Sequence, residues 1–102
     1  ENTDSAWLAF PMVLKINKKN LRNMLQHFLE KRNIQTRAIF SGNVTKQPFM
    51  KNEKYKLKKG ISDNANLIMK NGILIGCHQL LKLNQLKYMC SSITQFVNKN
   101  PK

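Results

Sequence analysis

The sequence is poor in acid, glycine and cysteine, and each shortage closes off a class of chemistry. Only five carboxylates, Glu1, Asp4, Glu30, Glu53 and Asp63, stand against 18 lysines and arginines. The five are scattered over the N-terminal tail, a helix, a loop and a cap, so no carboxylate pair is set up for acid–base work, and no nucleophile has a second titrating partner. No catalytic residue is therefore assigned within this chain. The glycines, Gly42, Gly60, Gly72 and Gly76, are too dispersed for a Gly-rich phosphate loop. Cys77 and Cys90 sit in apolar stretches with no metal-type spacing and read as buried free thiols, not as a disulfide or a metal site. No segment approaches the ~20 apolar residues of a membrane span, and no basic region followed by an apolar run opens the chain. A soluble, cytoplasmic protein is the expectation.

What is present is a chain of 102 residues, 41% hydrophobic, with a formal net charge of +13. That length supports one domain, but not a core together with a deep, self-contained active site. The charge fits an anionic partner such as nucleic acid, a membrane surface or a phosphorylated ligand. It fits a solvated, lysine-rich surface better, because the lysines are spread over almost every segment and only Arg22, Arg32 and Arg37 are arginines. No aromatic platform or recognised nucleic-acid motif accompanies the charge.

Hydrophobic periodicity organises the chain. Residues 7–16, rich in aromatic and branched side chains, read as a strand that Pro11 pushes to a sheet edge or a bulge. From Lys18 to Arg32, the spacing of Leu21, Met24, Leu25, Phe28 and Leu29 predicts an amphipathic helix, with Asn17 as its N-cap and Asn33 as a left-handed C-cap. Ile34 to Ile39 reads as a second strand. Residues 40–61 have little periodicity, and an irregular segment of that length in a small domain is functional or disordered. Ser62-Asp63-Asn64 is placed to cap a short helix that stops at Asn71-Gly72. Ile73 to Cys77 reads as a buried strand. A long helix over about 82–98 carries Leu83, Leu86, Met89, Cys90, Ile93, Phe96 and Val97 on one face. The fold class is α/β in an α+β-like, two-layer form, a small three-stranded sheet packed with about three helices. Residues 1–6 read as a linker, 7–98 as the domain and 99–102 as a tail.

Two polar residues follow strands, Arg37 and His78, and ligands gather at strand ends in open α/β sheets. Arg37 offers a rigid fork of donors for phosphate or carboxylate, and Ser41-Gly42-Asn43 a backbone with free N–H groups and a side-chain amide. The plainer readings are a surface salt bridge for Arg37, a helix-entry or packing role for His78, and an ordinary turn for Gly42-Asn43.

The runs Trp7-Leu8-Ala9-Phe10-Pro11, Thr36-Arg37-Ala38-Ile39-Phe40-Ser41-Gly42-Asn43 with Gln47-Pro48, Asn64-Ala65-Asn66 and Ile75-Gly76-Cys77-His78 resemble the C-terminal part of the DegT/DnrJ/StrS sugar aminotransferase/dehydrase family, over nearly the whole chain. The Thr-Arg-x-x-Phe-x-Gly-Asn run is most similar to the branch of nucleotide-4-keto-6-deoxyhexose 3-dehydrases. The resemblance implies the small domain of an aspartate-aminotransferase-type, homodimeric enzyme of deoxysugar and lipopolysaccharide biosynthesis. Its cofactor, pyridoxamine or pyridoxal 5'-phosphate, would be bound mainly by an N-terminal domain outside this chain, and the chain alone would be inactive. A first residue other than Met, followed closely by Trp7-Leu8-Ala9-Phe10, suits a piece of a longer polypeptide. The resemblance also implies that Arg37, Ser41, Gly42, Asn43, Gln47 and His78 face the CDP- or GDP-linked 4-keto-6-deoxy sugar or the cofactor. Two departures stand out: Gln79-Leu80-Leu81-Lys82 replaces the family's Pro-Gly-Leu-Thr, and Gln35 stands where some dehydrases carry an acid. A sugar aminotransferase of the same family is the alternative, and a basic nucleic-acid-binding module or a purely structural interaction domain are readings from other classes.

Overall fold

The computed structural model describes residues 4, 6–15, 18–58 and 60–101. Three strands, β1 (Ala9–Val13), β2 (Thr36–Arg37) and β3 (Gly72–Gly76), form one sheet in the order β1-β3-β2, with β3 antiparallel to both neighbours. The helices are α1 (Leu21–Glu30), α2 (Ile61–Asn71) and α3 (Leu83–Lys99). The sheet class and the three helices match the expectation. Pro11, which has no N–H to donate, sits on the outer strand β1, where the ladder needs donors on one side only.

Side chains alternate across a strand. Ile73 and Ile75 of β3 are therefore buried on one face, where they meet Leu21, Leu25 and Leu29 of α1 and Met89 and Phe96 of α3. Phe28 and Phe96 cross with ring centroids 5.3 Å apart, and the Arg32 guanidinium lies 3.7 Å above the Phe28 ring while donating to Gln95 at 2.8 Å. These contacts lock the end of α1 to α3. Asn33 adopts the left-handed conformation at φ 58°, as its expected capping role requires. Thr36 is fastened to the end of α1, since its N–H and its hydroxyl both donate to Glu30 Oε1 at 2.8 Å.

Several boundaries differ from the sequence reading. α1 starts at Leu21 behind a left-handed Asn20; the expected cap, Asn17, and Ile16 at the end of the expected first strand lie outside the described residues. β2 is two residues long, because the chain leaves the ladder after Arg37. α2 begins behind Gly60 at φ 86°, so Ser62, Asp63 and Asn64 lie in its first turn and do not cap it. Of the apolar face expected for α3, Met89 and Phe96 are buried and Ile93 partly so, whereas Leu83, Leu86, Cys90 and Val97 are exposed; Leu86 and Cys90 border an open apolar cleft against Phe10 and Met12 of β1. Cys90 is thus an exposed free thiol, not a buried one, and Cys77 is half-buried. The irregular segment contains two 3-10 turns, Val44–Lys46 and Pro48–Asn52.

Two glycines give a paired prediction. Gly42 has φ 65°, and a Cβ there would lie 2.5 Å from the Met69 Cα, whereas Gly60, at φ 86°, has open space around it. Gly60→Ala is expected to cost only the left-handed strain, about 1–2 kcal/mol. Gly42→Ala is expected to cost clearly more, read as a lower urea midpoint. A second prediction concerns pH. The Thr36 N–H first, and its hydroxyl second, hold the Glu30 carboxyl below its ordinary value of 4.5. The stabilisation is therefore complete above that unfolded value and fades as pH falls through the lower folded one. Glu30→Gln should be less stable than wild type at neutral pH and converge with it in acid; a pH-independent gap in urea midpoints would contradict this.

Candidate functional site

The antiparallel register decides which of the expected residues meet. Arg37 pairs with Leu74, whereas His78 lies four residues further along the β3 chain, past the strand's end. At ~3.4 Å per residue the two are separated by roughly 14 Å along the ladder. The strand-end rule applied to both residues belongs to parallel sheets; here β2 and β3 run in opposite directions, so Arg37 sits beside the middle of β3 while His78 lies past its end.

Arg37, Leu74 and Pro11 are in register, so they share the sheet face opposite α1 and α3. Arg37 is exposed there and lines a cleft of about 330 Å³ together with Leu8, Ala9, Gln35, Phe40 and Leu74. Arg22 donates to the Met69 carbonyl at 2.7 Å and Arg32 to Gln95, but the Arg37 fork has no such partner among the described residues. The plainer reading of Arg37 as half of a surface salt bridge therefore finds no acid to complete it among the described residues, where Glu30 is engaged by Thr36.

The loop after Arg37 is built against α2. Gly42 lies on the Met69 backbone, and its N–H donates to the Ile39 carbonyl at 2.9 Å. The Asn43 side chain is 3% exposed; its oxygen accepts from the Thr45 N–H at 3.0 Å and from the Thr45 hydroxyl at 2.7 Å, and its amide donates to Asn66 at 2.9 Å. Asn43 therefore turns inward and holds the loop, in place of the outward-facing role expected of it. Gln47 donates to the Ser41 carbonyl at 3.2 Å, closing the loop on itself, and Ser41 is exposed. Asn66 and Phe40 are the residues that sequence reasoning missed. Both lay inside recognised runs, but only the fold brings Asn66 to Asn43, and only the backbone shows Phe40 at φ 43°.

His78 is exposed at the rim of a separate cleft of about 520 Å³, near Arg32, Gln35, Gln85 and Tyr88. Its carbonyl accepts from the Leu81 N–H at 3.1 Å, which makes it the start of the turn into α3. With Lys82 in place of the family's Thr, the side chain at the helix start has no acceptor to offer; Gln85 makes the reverse bond instead, accepting the Lys82 N–H at 2.8 Å. Gln35 and Gly76 border both clefts, so the two adjoin along one side of the sheet. The Arg37 cleft has a guanidinium and an apolar lining but no carboxylate. By itself it does not form a pocket for a pyridine ring and its phosphate; it forms a wall that can meet an anion. Among the described residues no cluster suits a metal ion, and no helix is long and apolar enough to cross a membrane.

Comparison with known proteins adds to this geometry. The chain is 34% identical over 100 residues to the lipopolysaccharide biosynthesis protein RfbH of Salmonella typhimurium, covering 98% of this chain and 23% of that protein. It is 27% identical over 99 residues to the dTDP-4-dehydro-2,6-dideoxy-D-glucose 3-dehydratase of Saccharopolyspora spinosa, covering 97% and 21%. Against the GDP-4-keto-6-deoxy-D-mannose 3-dehydratase of Escherichia coli it is 29% identical over 90 residues, covering 87% and 23%. The chain thus spans less than a quarter of the length of these relatives. A crystal structure of GDP-4-keto-6-deoxymannose-3-dehydratase with a trapped PLP-glutamate geminal diamine superposes on 90% of this chain and 24% of its own, with a TM-score of 0.77 and 28% identity. A family profile matches residues 1–94, and on that match the chain belongs to the DegT/DnrJ/EryC1/StrS aminotransferase family.

Proposed function

We propose that this chain is the C-terminal small domain of a nucleotide-sugar 3-dehydratase. The enzyme would use pyridoxamine or pyridoxal phosphate, act on a nucleotide-linked 4-keto-6-deoxyhexose, and serve deoxysugar and lipopolysaccharide biosynthesis. The observation that carries the reading is the likeness, along almost the whole chain, to about a quarter of each such enzyme, with Arg37, unpartnered among the described residues, on the sheet face away from α1 and α3. The cofactor would be held by the rest of the polypeptide, where it supplies the electron sink for the chemistry. This chain would close one side of the site. Arg37 would meet the substrate's diphosphate with its bidentate fork, the inward bonds of Asn43 would keep the Ser41 to Pro48 loop in place, and His78 would stand at the far end of the adjoining cleft. The whole enzyme would be a cytoplasmic homodimer. Support for an incomplete unit comes from the shape: the radius of gyration is 16.0 Å, where a compact domain of this length would have about 13 Å.

The test uses the full-length enzyme reconstituted with pyridoxamine phosphate and offered CDP- or GDP-4-keto-6-deoxyhexose. A 3-deoxy product is expected, and an amino sugar would favour an aminotransferase of the same family. Charge-assisted hydrogen bonds are worth about 1.5–3 kcal/mol, so Arg37→Ala should lower kcat/KM by roughly 10- to 150-fold. Arg37→Lys, a point charge without the fork, should recover only part of that loss. An unchanged kcat/KM in Arg37→Ala would remove Arg37 from the site. Salt-sensitive binding of RNA or DNA in place of any turnover would favour the basic nucleic-acid module.

A further inference from the structure

Phe40 combines two features that are each uncommon. Its backbone is left-handed at φ 43°, a conformation that a bulky residue rarely takes, and its side chain is 88% exposed. Neither follows from local freedom. On one side the half-buried Ile39 is tucked under Gly72, so closely that a Cβ on that glycine would overlap the Ile39 side chain. On the other side Gly42 lies on the Met69 backbone and the Asn43 bonds fasten the loop to Asn66. The Phe40 N–H donates to the Ala38 carbonyl at 3.0 Å. Held at both ends, the chain has to turn at Phe40, and the ring is turned outward, away from the core. Strain of this kind is kept where the surroundings over-determine it, and it clusters at ligand-binding sites. The ring borders the same cleft as the Arg37 fork, which has no partner among the described residues and lies three residues earlier in the chain.

We infer that Phe40 is the stacking platform for the nucleobase of the nucleotide-linked substrate, set beside Arg37 so that the ring takes the base while the guanidinium takes the diphosphate. The inference rests on the proposed function and assigns a specific recognition role within it. An aromatic face accepts any base without reading its hydrogen-bonding edge. The site would therefore grip the nucleotide and leave the choice between bases to other parts of the enzyme.

The experiment uses the full-length holoenzyme, with CDP, GDP, dTDP and inorganic pyrophosphate as competitive inhibitors against the nucleotide-linked 4-keto sugar. Base stacking removed by alanine is worth about 1–3 kcal/mol, so Phe40→Ala should raise the Ki of the best nucleoside diphosphate by roughly 5- to 150-fold and leave the Ki of pyrophosphate unchanged. Phe40→Trp should keep the wild-type Ki, and its fluorescence should be quenched as the nucleoside diphosphate binds. Equal nucleoside diphosphate Ki values in wild type and Phe40→Ala would overturn the inference. So would a parallel loss of pyrophosphate inhibition, or failure of both variants to fold with cofactor bound, which would make Phe40 a packing residue against the rest of the enzyme. If the wild-type enzyme turns over none of these nucleotide-linked sugars, the proposed function itself fails and takes this inference with it. Wild-type turnover with an unaffected Phe40→Ala overturns the stacking role alone.

Discussion

The structure depends on a close approach of two backbones. The segment leaving β2 lies against α2 and the start of β3 so tightly that Gly42 meets the Met69 main chain and Gly72 leaves room for the Ile39 side chain. No side chain fits between them, so the small residues set the distance. Asn43 then locks the approach by bonding Thr45 and Asn66 from a buried position, where an amide left without partners would cost about 1–3 kcal/mol. With these contacts made, the direction in which the loop leaves the sheet is determined. Arg37, Ser41 and Phe40 are exposed as a consequence.

The two sheet faces have different fates. The face with Ile73 and Ile75 is covered by α1 and α3 and holds nearly all the buried apolar side chains. The opposite face, with Pro11, Leu74 and Arg37, adds none of these strand residues to the core, and its cleft is lined by the exposed Leu8 and Phe40. A two-layer domain with one open layer suits a unit whose second covering comes from elsewhere in a longer enzyme. The large positive charge adds little to that picture, because the lysines are spread along the chain and, among the described residues, Arg37 is the one cation that lines the cleft.

The expected elements were legible where periodicity is strong. Leu21, Leu25 and Leu29 sit one helical turn apart and are buried as that spacing predicts, and the unbroken apolar run from Ile73 is the central strand. The Thr-Arg-x-x-Phe-x-Gly-Asn run pointed to the right family, and its residues form β2 and the loop that follows it. Which of them face outward was not legible. Alternation along the sequence does not say that Asn43 points at α2 while Phe40 points away, because that depends on Met69 and Asn66, more than 20 residues later. The extent of helix burial was hidden for a similar reason: Leu86 and Cys90 repeat with the right period, but how far they are covered depends on Phe10 and Met12 across an apolar cleft, more than 70 residues earlier.

By itself, then, the sequence determined the three helices, the apolar strands and the family, because these depend on local spacing and on runs of adjacent residues. The tertiary structure alone decided that the strands are antiparallel, that Arg37 sits beside the middle of β3 while His78 lies past its end, and that Asn43 is a brace while Phe40 is displayed. The physical reason is that strand direction and loop orientation are set by contacts between residues far apart in the chain, and no local propensity encodes them.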